Sequence, residues 1–175
     1  MKKFIQRFYT PFILAFAALL VLPACHYSTE YKQADTHDRF IISVPPWTKP
    51  EEKLKPGAPF QYANRYRNFY AIGEVVAKTD SDKLGSLMNT NLNVLRKSLT
   101  KPVVTDSNTV TIGGLKGIRC EIYGKMKDEP IYFSEVLLTG KDSTYHLSVW
   151  TRGEDRKLRY KDDIDKILNS FKEKE

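Results

Sequence analysis

Few residues in this chain are of types that could carry chemistry. Its 175 residues include 2 Cys and 3 His. His26, His37 and His146 are too scattered for a histidine-based zinc site, and Cys25 and Cys120 cannot build a disulfide framework. The chain lacks Gly-x-Ser-x-Gly, His-Glu-x-x-His and paired Cys-x-x-Cys motifs. Gly113-Gly114-Leu115-Lys116-Gly117 is glycine-rich, but it lacks the spacing and strand–helix context of a phosphate loop and reads as a turn. The expectation is a non-enzymatic protein without a cofactor or a dedicated metal site.

A site could still arise where strands bring carboxylates together. Ile118 to Lys125, Ile131 to Thr139 and Thr144 to Thr151 read as an antiparallel meander. A two-residue Lys141-Asp142 turn puts Val136 opposite Leu147 and Leu138 opposite Tyr145. Placing Cys120 opposite Val136 gives one apolar face of Cys120, Ile122, Val136, Leu138, Tyr145, Leu147 and Val149. In that register the other face sets Glu121 opposite Glu135, with Arg119 and His146 one pleat away and Tyr123, Phe133 and Trp150 beside them. Adjacent carboxylates repel, so one would gain a raised pKa, bind a cation or recruit Arg119. Glu121, Glu135, His146, Arg119 and Trp150 are thus candidate binding residues for a small ligand or a divalent cation. The plainer alternative is a half-solvated sheet face. Cys120 lies among Ile118 and Ile122 and is expected to be core.

Other elements position this meander. Phe40-Ile41-Ile42-Ser43-Val44 is a strand stopped by Pro45-Pro46, and five of the 9 prolines fall between Pro45 and Pro59 in an extended loop. Trp47 in that loop either covers the core edge or, with Tyr62, Tyr66 and Tyr70 nearby in the chain, displays a rigid partner-binding patch. Phe60 to Tyr62 and Phe69 to Lys78 read as strands around a turn at Arg65 to Asn68. Asp80 or Ser81 can cap a helix carrying Leu84, Leu87/Met88, Leu92, Leu95 and Leu99, which ends at Lys101-Pro102. Val103 to Thr105 and Thr109 to Ile112 form short strands, with Gly113-Gly114 turning the chain. A terminal amphipathic helix is expected over Tyr160 to Lys172.

Composition is ordinary for a globular protein, 41% hydrophobic and 28% charged. The N-terminus differs from the rest. Lys2, Lys3 and Arg7 precede eleven apolar residues, Phe12 to Leu22, too short for a bilayer-spanning helix and suited to a signal peptide. Leu22-Pro23-Ala24-Cys25 then resembles the bacterial lipoprotein signal. That resemblance implies cleavage after residue 24, lipid on the Cys25 sulfur and a membrane partner through the lipid. It implies a cell-envelope location, and since His26 is not the Asp that favours inner-membrane retention, the outer membrane if the cell is Gram-negative. Without residues 1–24 the chain keeps 25 basic against 21 acidic residues, a net charge of +4. Such a weakly charged, exported surface gives no footprint for nucleic acid. His26 to Asp38 lacks apolar periodicity and reads as the rest of a tether, residues 25–38, with one domain over 39–175.

Phe40 to Trp47, Phe69 to Val76, the turn before Ile118 to Tyr123 and the closing Ile167-Leu168-Asn169-Ser170-Phe171 together resemble the PsbP/Mog1 family. The resemblance implies an α+β fold, a central antiparallel sheet flanked by helices in an α/β/α sandwich. It also implies a binding or assembly role with an envelope protein partner. None of the family's roles carries over residue by residue.

Overall fold

The structure is a computed structural model and describes residues 29–36, 39–105 and 107–174. The stretch expected to be a lipoprotein signal, with Cys25, lies outside the described residues. Among them no helix is long and apolar enough to cross a membrane.

The chain runs β1 (Lys32–Asp35), β2 (Phe40–Val44), β3 (Lys49–Pro50), β4 (Phe60–Asn64), β5 (Phe69–Ala77), α1 (Leu84–Ser98), β6 (Thr100–Val104), β7 (Asn108–Ile112), β8 (Leu115–Met126), β9 (Glu129–Thr139), β10 (Ser143–Arg152), α2 (Arg156–Asn169) and β11 (Lys172–Glu173). The main antiparallel sheet has the order β3-β4-β5-β10-β9-β8-β6, with β7 also paired to β8. A second sheet, β1-β2-β11, shares with α2 the layer over one face. Helix α1 packs on the other face, against β8, β6 and β9.

Turn chemistry sets the registers. Lys127 and Asp128 take positive φ values of 51° and 64°, the conformation of a two-residue hairpin turn whose twist matches its strands. Met126 therefore faces Glu129, and counting back along the hairpin places Cys120 opposite Glu135 and Arg119 opposite Val136. The expected pairing of Cys120 with Val136 is off by one residue, and a one-residue slip moves every side chain of the strand to the other face. The β9–β10 pairing is as expected, with Val136 opposite Leu147 and Leu138 opposite Tyr145.

Each face now has a consistent core. Val136, Leu138, Tyr145, Leu147 and Val149 pack with Tyr160, Ile164, Ile167, Leu168 and Phe171 and with Phe40, Ile42 and Val44 of the small sheet. The Phe40 ring lies over Gly73 of β5, where a Cβ would come 2.9 Å from its Cζ. Cys120, Ile122, Phe133 and Leu137 pack instead under Leu84, Met88 and Leu92 of α1. Cys120 is buried, with its Sγ 3.2 Å from the Thr105 carbonyl oxygen.

Two ends differ from the sequence reading. Lys32–Asp35, expected within the tether, pairs along β2, with Lys32 opposite Val44 and Asp35 opposite Ile41. Ala34 alone of this strand is buried, so backbone pairing rather than an apolar pattern holds it, and the folded unit begins ahead of Arg39. Helix α2 starts at Arg156 and ends at Asn169, and Lys172–Glu173 joins β2 as a strand. Helix α1 is entered through a 3-10 turn, Ser81–Lys83, and the Asp80 carboxylate pairs with Lys83 Nζ at 3.1 Å rather than capping the helix.

Candidate functional site

The alternation of β5 and β10 places side chains on the α1 side of the sheet in three rows. Ile118, Leu137, His146 and Glu74 form one, Cys120, Glu135, Ser148 and Ile72 the next, and Ile122, Phe133, Trp150 and Tyr70 the third. The buried side of α1 lies over the β8 end of these rows. Toward β5 a groove of about 400 Å³ remains, walled by Leu87, Asn91, Val94 and Leu95 of the helix, with Lys55 from the Pro-rich loop also lining it. Its apolar floor is Ile72, Val76, Phe133 and Trp150, and Trp150 stacks between Tyr70 at 5.3 Å and Phe133 at 5.7 Å.

Beside this apolar floor a chain of charged groups lines the same groove. His146 Nε2 is 2.6 Å from Glu135 Oε2, and its Nδ1 is 3.3 Å from Glu74 Oε2. Ser148 donates its hydroxyl to Glu135 Oε1, and Lys55 Nζ reaches Glu74 Oε2 at 2.6 Å. Burial pushes the His146 pKa down, but hydrogen bonds to Glu135 and Glu74 outweigh it and hold the imidazole up at about 9. The hydrogen bond from His146, joined by Lys55 and opposed by burial, draws Glu74 down to about 2. At neutral pH an imidazolium therefore bridges two carboxylates on different strands.

The expected site is thus divided. Glu135, His146 and Trp150 line one groove. Glu121 and Arg119 point to the opposite face, so the Glu121–Glu135 carboxylate pair does not form; the register set by Lys127-Asp128 is the cause. There Arg119 binds Asp165 of α2 at 2.7 Å and approaches Glu121 at 3.7 Å, while Lys157 binds Glu121 at 3.0 Å. Lys157 also lies over the Tyr123 ring at 4.2 Å, so this network clamps α2 to β8. Trp47 covers one end of the α2-side core, edge-on to Phe69 at 5.0 Å, with the Arg67 guanidinium 4.6 Å from its ring.

Glu74, Lys55 and Asn91 are absent from the sequence-based candidates. Glu74 left one trace, a lone carboxylate inside the apolar run Phe69 to Ala77. Its partner His146 lies in β10, beyond reach of any hairpin argument. Among the described residues no group of three or more His, Cys, Asp or Glu is placed to hold a metal ion. In this site the imidazolium occupies the space between the two carboxylates.

Sheet, helices and strand order define a PsbP/Mog1-like α+β sandwich. No protein-family model matches the chain, and no curated protein sequence does. Among solved structures it is similar to cyanobacterial PsbP (CyanoP) from Synechocystis, with a TM-score of 0.60 at 14% identity over 86% of this chain and 97% of that one. LpqN, involved in cell envelope biogenesis of Mycobacterium tuberculosis, gives 0.58 at 13% identity over 83% and 91%. The Ran-binding protein Mog1p of Saccharomyces cerevisiae gives 0.58 at 13% identity over 82% and 95%. At these identities the likeness is one of fold.

Proposed function

We propose that this chain is a bacterial envelope lipoprotein, held at a membrane by lipid on Cys25, whose PsbP/Mog1-like domain acts by binding rather than by catalysis. The groove beside α1 carries the binding reading. It is concave, largely apolar and has polar groups converging at its base, the usual make-up of a ligand site. Both ring nitrogens of His146 are engaged by carboxylates, so the imidazole has no free nitrogen to accept a substrate proton. Binding and envelope roles also accord with the names of two fold neighbours, Ran-binding Mog1p and LpqN of cell envelope biogenesis. The location is the outer membrane if the cell is Gram-negative, with an envelope protein as partner.

The second reading, a small-ligand or cation site around Glu121, Glu135 and His146, changes its members. Glu74 takes the place of Glu121, and the ligand rather than the cation remains, because His146 already neutralises the carboxylates.

Purification of the lipidated protein from gently solubilised membranes tests the proposal. Val94, 67% exposed on the groove wall, can be changed to Arg without disturbing the core. The wild type is expected to carry a stoichiometric companion that Val94→Arg loses. Identical composition of the two preparations would contradict it.

A further inference from the structure

We infer that the groove beside α1 takes a small, uncharged amphipathic molecule, with an apolar body against Ile72, Phe133 and Trp150 and a polar head that both donates and accepts a hydrogen bond. The inference deepens the binding reading above and rests on it.

The first argument is size. A space of about 400 Å³ falls in the range of small-molecule pockets, about 300–1,000 Å³. The Trp150 ring, stacked between its two neighbours, presents its edge to the groove and is fixed before any ligand arrives.

The second is charge. Lys55 and His146 balance Glu74 and Glu135, and all four are joined to one another by the contacts at 2.6 and 3.3 Å. An ammonium or carboxylate brought into the groove would add an unbalanced charge to this neutral cluster. A neutral head incurs no such cost.

The third is unused hydrogen-bonding capacity. Among the described residues, the Asn91 carboxamide, the Trp150 indole N–H and Glu74 Oε1 have no protein partner, and all three residues line the groove. They offer donors and acceptors together, which match a hydroxyl or an amide better than a group that only donates or only accepts.

The test uses the lipidated protein in lipid nanodiscs and three probes of one shape: hydrocinnamyl alcohol, phenylpropylamine and hydrocinnamate. Amide chemical shifts of Ser148 and the indole N–H of Trp150 follow binding. The alcohol is expected to saturate these shifts by about 10 mM, the affinity range of a ligand of about ten heavy atoms. The amine and the carboxylate are expected to bind about tenfold more weakly. Val94→Arg should abolish the alcohol's effect. Glu74→Gln, which removes one negative charge, should move the preference toward the carboxylate.

Equal binding of the three probes, binding that survives Val94→Arg, or no saturable shift by about 10 mM would overturn the inference. A protein companion released by Val94→Arg, with no probe bound, would overturn it and leave the binding reading intact.

Discussion

His146 and Glu135 lie on adjacent strands, offset by two residues along the sheet, with imidazole Nε2 2.6 Å from carboxylate Oε2 and Glu135 almost fully buried. A buried carboxylate needs such a partner, because removing one member leaves the other charged in a poor solvent. His146→Ala is therefore expected to cost about 3–5 kcal/mol in urea unfolding. His146→Leu combined with Glu135→Leu should recover most of the loss, since apolar side chains can replace a buried ion pair. A double variant as unstable as His146→Ala would show that the pair is not the source.

The same contact makes stability pH-dependent. His146 is raised from 6.5 to about 9, so its contribution is complete below pH 6.5 and lost as pH rises through 9. That displacement corresponds to about 3 kcal/mol. Glu74 is lowered from 4.5 to about 2, so its contribution is complete above pH 4.5 and lost as pH falls through 2. The two share the His146–Glu74 contact, so they do not add in full. Unfolding midpoints should be highest between pH 4.5 and 6.5, and the alkaline decline should flatten in His146→Ala. An unchanged alkaline decline in the variant would contradict the assignment.

Glu121 and Glu135 should behave independently. They face opposite sides of the sheet and share no partner, so Glu121→Gln and Glu135→Gln are expected to add within about 0.5 kcal/mol in a double-mutant cycle. A coupling well above that would restore the carboxylate pair that the strand register separates.

Gly73 joins the two sheets. A methyl group there would come 2.9 Å from Phe40 Cζ and 3.1 Å from Leu147 Cδ2, both in residues with no exposure. Gly73→Ala should destabilise the domain by about 1–3 kcal/mol, and combining it with Phe40→Leu should cost less than the sum of the two. Simple additivity in urea titrations would argue that the ring and the glycine do not meet.

Anchoring has its own test. Cys25→Ser should abolish acyl labelling and release the chain from the membrane fraction, because lipid attachment is strong only when acyl chains are present. A variant that keeps its acyl label and sediments with membranes would remove the lipoprotein reading.

Local signals made much of the fold legible in the sequence. Leu84, Met88 and Leu92 recur at helical spacing and are the three buried residues of α1, and Phe40–Val44 forms the strand its β-branched run predicts. The β9–β10 register followed from the Lys141-Asp142 turn. The β8–β9 register did not, because matching Cys120 to Val136 by apolarity overlooked Lys127-Asp128, which turns the chain at positive φ. That single residue of slip moved Glu121 to the wrong face. Glu74 was out of reach for another reason: β5 and β10 are joined by no turn, so nothing in the sequence sets His146 opposite it. The small sheet was hidden because β1 has 4 residues and β11 has 2, too few for a pattern.

The most direct measurement of whether the groove is a binding site is photocrosslinking in living cells. A benzophenone side chain at Val94 sits on the groove wall, and one at Leu158, 76% exposed on α2, is the control. Intact mass should show a defined adduct, small molecule or protein, at position 94 and none at 158. The same adducts at both positions, or none at 94, would contradict a groove that binds.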